Sequence, residues 1–187
     1  MSETLTVIGP SGRTLDVDAN KSVQVRPLTD FEYAVENGWA FSWSSLTYDM
    51  TAKNTILAVE NNSSTMNLHI QEIHLQSDTA TQFVVHTESG VAVTGGNAVL
   101  GVNLNRSSGR AITGLATAVD CDTGNTAADG YTKRLYTGIC AADGNVFIKV
   151  DGAVILPNDH GIFVDMTANA AACNVTIIGY YKARTTT

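Results

Sequence analysis

The stretch MNLHIQEIHLQSD, residues 66–78, decides how this chain folds. Met66, Leu68 and Ile70 alternate with polar residues like one face of a β-strand, but Gln71-Glu72 breaks the phase and moves Ile73 and Leu75 to the opposite parity. A strand that kept its pleat through this point would turn two large aliphatic side chains to solvent. One inserted residue, a β-bulge at Gln71-Glu72, returns all five apolar side chains to a single face. The same bulge places His69 and His74 together on the outer, polar face. The segment therefore reads as a long, kinked strand in the wall of a sandwich.

Outward from this strand the chain repeats the theme. TILAVE lies within NTILAVEN (54–61), and it is followed by TQFVVHT (81–87), AVLGVNLN (98–105), RLYTGIC (134–140), NVFIKV (145–150), GIFVDMT (161–167) and CNVTIIGYY (173–181). Gly, Asn and Asp clusters separate these runs; Asp143-Gly144-Asn145, Asp151-Gly152 and Pro157-Asn158 supply turn chemistry between apolar segments. About eight strands without intervening helices predict two antiparallel sheets packed face to face, of which the jelly roll is the commonest eight-stranded form. Trp39, Phe41 and Trp43 alternate onto one face ahead of them, as a core wall does.

One short helix is expected, over TDFEYAVENG. Thr29 and Glu32 are spaced as a capping box, Phe31 and Val35 lie four apart, and Gly38 supplies the stop. Residues 1–28 before it form an extended arm of short alternations, broken by GPSGR and DAN and closed by Pro27. Such strands cannot bury a face among themselves, because an isolated hairpin is marginal in water, so they must pack on the main domain or on a neighbouring subunit. Leu5, Val7, Ile8, Val23 and Val25 are accordingly expected to contact a neighbouring subunit or another partner surface. The division is an arm over 1–28 and an all-β sandwich over 29–187.

Composition excludes several classes. At 187 residues one domain can bury roughly 70% of the surface of its unfolded chain, so no disulfide scaffold is required. The three cysteines, Cys121, Cys140 and Cys173, show no C-x-x-C spacing, and reduced thiols in a reducing cytoplasm are expected, with a Cys121–Cys140 pair the alternative. The net charge of −7 comes with scattered rather than massed Lys and Arg, which opposes nucleic-acid binding. MSETLTVIGPSG carries no export signal, and no run approaches the ~20 apolar residues of a membrane helix.

No catalytic, cofactor or metal constellation emerges. His69 and His74, four effective strand steps apart, would hold their Cα atoms roughly 13 Å from each other, too far for two imidazoles on one metal. They read as surface histidines, while His86 and His160 lie on other segments without the His-x-His spacing of a cupin. DCDTGNTAADGY (120–131) offers Asp120, Asp122 and Asn125, yet has Asn125 where an EF-hand needs glycine and Tyr131 where it needs a bidentate glutamate. No G-x-S-x-G elbow is present, and TGGN opens no helix that could hold a phosphate.

Residues 37–78, 92–109 and 152–181 together resemble the small jelly-roll auxiliary proteins of tailed bacteriophages, the decoration or cement proteins that stud the outside of the head. The marks are LAVENNSSTMNLHIQEI, GVNLNR, GAVILPNDHGI and NVTIIGYY, and the likeness spans most of residues 37–182. The resemblance implies a structural, non-enzymatic virion protein made in the host cytoplasm, without cofactor. It further implies a homotrimer that bridges major capsid protein subunits on the outer capsid surface. Two other classes fit an all-β chain: a fibre-tip module binding a receptor or carbohydrate, with Trp39, Phe41 and Trp43 as its platform, and a cupin-like enzyme.

Overall fold

The computed structural model describes residues 28–50, 54–90, 96–120, 133–166 and 170–184. The predicted helix is α1 (Asp30–Glu36), closed by the expected capping box: the Glu32 N–H donates to the Thr29 hydroxyl oxygen at 3.1 Å, and the Thr29 N–H donates to Glu32 Oε2 at 2.9 Å. Gly38 follows at φ 73°, a left-handed conformation that glycine adopts without strain. The strands are β1 (Ala40–Ser44), β2 (Tyr48–Met50), β3 (Asn54–Asn61), β4 (Met66–Ser77), β5 (Thr81–Ser89), β6 (Asn97–Ala98), β7 (Val102–Asn103), β8 (Ala116–Asp120), β9 (Arg134–Cys140), β10 (Gly144–Leu156), β11 (His160–Met166) and β12 (Ala170–Ala183).

They form two antiparallel sheets. One runs β10-β4-β12-β1-β7, with β2 also on β12; the other runs β6-β8-β3-β11-β5-β9. The chain is thus an all-β, antiparallel two-sheet sandwich with one short helix. The long strands pair in nested fashion: β1 with β12, β3 with β11, β4 with β10 and β5 with β9. Apolar side chains from the two inner faces meet between the sheets, Phe41, Trp43 and Ile177 on one side, Leu57, Val164 and Phe83 on the other.

The bulge in β4 is where the phase change places it. Against β12, Glu72 pairs with Ile178 and Ile70 with Gly179, which leaves Gln71 unopposed. Leu68, Ile70, Ile73 and Leu75 are all buried, at most 2% exposed, and Met66 packs against their cluster from a partly buried position. A second insertion of the same kind occurs in β3, where Ile56 falls between Thr55 and Leu57 in the pairing with β11. It allows the consecutive Ile56 and Leu57 both to be buried while Thr55 turns outward to Asp165.

Asp151-Gly152 departs from its expected role. It does not end a strand; β10 runs through it, and residues 150–153 together face Gln71 alone. Asp151 (φ 48°) and Gly152 (φ 77°) carry the chain through the left-handed region, and the Gln71 amide donates to Asp151 Oδ1 at 2.9 Å. A Cβ on Gly152 would come within 2.5 Å of the Tyr180 hydroxyl, so this position excludes a side chain on two grounds. The AVLGVNLN run also differs from a single strand. Asn97–Ala98 belongs to one sheet and Val102–Asn103 to the other, and the crossing at Gly101 leaves no room for a Cβ, which would lie 2.6 Å from Trp43 Nε1.

Candidate functional site

Leu5, Val7, Ile8, Val23 and Val25 lie outside the described residues, as do Cys121 and most of the 120–131 loop. Asp120 is described: its Oδ2 accepts the Leu46 N–H at 3.1 Å and ties the β1–β2 connection to β8. Cys140 and Cys173 are buried, each at 0% exposure. Burial pushes the Cys140 thiol above its ordinary pKa, against a smaller lowering by the Ser77 backbone, so it stays neutral and unreactive.

His69 and His74 both lie on the outer face of β4, as the bulge requires, but neither stands free in solvent. His69 stacks on Tyr180 with ring centroids 5.1 Å apart, and its Nδ1 donates to the Gly152 carbonyl at 3.1 Å. Glu72 goes to His74, Oε1 to Nε2 at 3.1 Å, and the His74 ring meets Phe147 edge-on. Among the described residues no group of three or more His, Cys, Asp or Glu side chains is arranged to hold a metal. The aromatic row divides. Phe41 and Trp43 are buried in the core, whereas Trp39 is partly buried and carries the Arg110 guanidinium 3.5 Å above its ring.

A polar network that sequence reasoning did not bring together occupies the outer face of the second sheet. His86 on β5 is fully buried and stacks on Phe163 of β11, with centroids 5.1 Å apart at 14°. Its Nε2 lies 3.0 Å from Asp165 Oδ2, and Asp165 Oδ1 accepts the Thr55 hydroxyl at 2.7 Å. Glu88 Oε1 is 3.8 Å from His86 Nδ1, short of a hydrogen bond, and Lys133 approaches the other Glu88 oxygen at 3.7 Å. A His–Asp pair can transfer protons, but with His86 0% exposed no substrate atom reaches this one. It acts as a tie between β3, β5 and β11. The signal was present in the sequence as His86-x-Glu88 on one strand face and as an aspartate inside the apolar run GIFVDMT.

Two surfaces stand out by their chemistry. The first is the lateral margin where β9 and β10 form the ends of their respective sheets. Ten large hydrophobic side chains are exposed among the described residues, and five of them, Leu135, Tyr136, Ile139, Phe147 and Ile155, lie on these two strands. Ile139 is 75% and Phe147 64% exposed, and among the described residues each strand has a partner on one side only. Such an apolar edge is a template for association. The second is a cleft of about 530 Å³ between α1 and the end of β12, walled by Tyr33, Ala34, Trp39, Met66, Tyr180 and Tyr181, with the Asp30–Lys182 ion pair (2.6 Å) on its rim. The bond to Asp30 raises the Lys182 pKa, while burial raises that of Tyr181, whose hydroxyl donates to the Leu115 carbonyl at 2.8 Å.

No helix among the described residues is long and apolar enough to cross a membrane. Comparison with models of protein families, with curated proteins and with solved structures finds no match for this chain.

Proposed function

We propose that this chain is a structural protein of a tailed-phage virion, a decoration or cement protein that sits on the outer head surface as a homotrimer and stabilises contacts between major capsid subunits. The observation that carries the reading is the β9–β10 margin, an apolar, partly unpaired edge of the kind that subunit or shell contacts cover. Three further features support it. The nested pairing of β1 with β12, β3 with β11, β4 with β10 and β5 with β9 in a two-sheet sandwich supports a jelly roll, the fold implied by the phage-protein resemblance. The acidic chain suits a surface away from packaged DNA. The arm, through Leu5, Val7 and Ile8, adds a contact whose effect a trimer multiplies, since the second and third attachments are intramolecular.

A carbohydrate platform at Trp39, Phe41 and Trp43 is the weaker reading, because two of the three rings are buried between the sheets. Location and stoichiometry in purified particles test the proposal. The chain is expected on the outside of the head in a fixed ratio to the major capsid protein; its absence from heads, or a few copies at the tail tip, would overturn the reading.

The margin gives a sharper expectation. Ile139→Glu/Phe147→Glu replaces two exposed side chains and should leave the thermal midpoint near that of the parent, since surface substitutions generally stay within about 0.5 kcal/mol. Binding to undecorated shells, measured by co-sedimentation, should fall at least about tenfold, which corresponds to ~1.4 kcal/mol. Unchanged shell binding and an unchanged sedimentation coefficient would remove the margin from the interface.

A further inference from the structure

We propose that the cleft between α1 and the end of β12 is the docking site for Val23 and Val25 of the chain's own arm. This inference goes beyond the virion reading, under which those two valines would contact a neighbour or the shell, and gives them a nearer partner.

Leu28 lies two residues before Asp30, and Asp30 is on the rim of the cleft. Three residues span at most about 11 Å and five about 18 Å, so Val25 and Val23 are tethered within reach of these walls. Pro27 biases residue 26 toward an extended conformation, and in an extended Ser22-Val23-Gln24-Val25-Arg26 both valines point to one side. Ser22, Gln24 and Arg26 then point to the other.

The walls match the valines. Tyr33, Ala34, Trp39, Met66 and Tyr180 present an apolar surface, and Tyr33 is left 50% exposed. Charge agrees as well, because Arg26 would lie beside the carboxylates of Asp30 and Glu32 in the first turn of α1. Thr185, Thr186 and Thr187, which follow β12, carry polar side chains. An arm from a second copy would compete with a tether of a few residues, which acts as an effective concentration in the millimolar range.

Two experiments on the full-length chain test this, and neither uses capsid shells, so their failure is separable from failure of the virion reading. In the first, Val25→Cys/Ala183→Cys is oxidised mildly and mapped by peptide mass. A disulfide between residues 25 and 183 within one chain is expected in most molecules, unchanged by tenfold dilution. A cross-link between chains, or none, would overturn the proposal. In the second, Val23→Asp/Val25→Asp should at least double acrylamide quenching of Trp39 fluorescence, with Trp43 silent because it is buried, while Leu5→Asp/Val7→Asp leaves quenching at the parent value. Equal quenching in the parent and Val23→Asp/Val25→Asp chains would overturn it too.

Discussion

Asp165→Ala is expected to remove about 2–6 kcal/mol of stability, a large part of the ~5–15 kcal/mol that holds a typical domain folded. The carboxylate accepts two buried donors at once, the Thr55 hydroxyl at 2.7 Å and His86 Nε2 at 3.0 Å. Alanine leaves both without an acceptor where water does not reach, and each orphaned group costs about 1–3 kcal/mol. Asp165→Asn keeps one acceptor oxygen and should lose less than half as much. The triple variant Thr55→Val/His86→Phe/Asp165→Leu, which replaces the network by apolar groups of similar size, should recover much of the single variant's loss. Urea unfolding at constant slope measures all three. An Asp165→Ala midpoint equal to that of the parent would show that the network contributes nothing.

Without Gln71 the strand reads Leu68-His69-Ile70-Glu72-Ile73-His74-Leu75, an unbroken alternation, and the pairing with β12 closes without a gap because Ile178 and Gly179 are already consecutive. The chain lacking Gln71 should fold, giving up the Gln71–Asp151 hydrogen bond and about 0.5–1.5 kcal/mol. Removing His74 instead reverses the parity of everything after it. Leu75 then turns outward and Gln76 inward, at about 1.5–3 kcal/mol for the leucine and about 1–3 kcal/mol for the buried amide. Soluble yield and thermal melting of the two chains decide the matter. Equal behaviour would mean that Gln71 is not the inserted residue.

Some of this fold could be read from the residues alone. β3, β4 and β9 begin and end where alternation and turn residues place them, and Thr29, Glu32 and Gly38 fix α1, because each of those signals is local. The errors share a cause. Asp151-Gly152 has the composition of a turn, and only the facing bulge at Gln71 makes it an interruption within β10. AVLGVNLN has strand composition throughout, yet its halves belong to different sheets because the chain must pass close to Trp43 at Gly101. In ATAVD, which forms β8, three of the five residues, Ala116, Ala118 and Asp120, are of types depleted in strands. The Thr55–Asp165–His86 network joins positions far apart in sequence, so no spacing rule could assemble it. The β9–β10 margin was hidden for a related reason: Ile139 and Phe147 look like core residues until their strands are found at the ends of their sheets.

The nested pairing also sets how the molecule can be made. β1 emerges from a ribosome well before β12, its partner on one side: Ser44 faces Thr176, which lies 132 positions further along the chain. β4 likewise takes its central place only after β10 and β12 have been synthesised. Contact order this high puts folding in the millisecond-to-second range, and the first sheet is complete only once β12 slots between β1 and β4. Until then the apolar faces of β1 and β4 are open to wrong partners. The carboxylates that outnumber basic groups along the chain keep those nascent molecules apart by mutual repulsion.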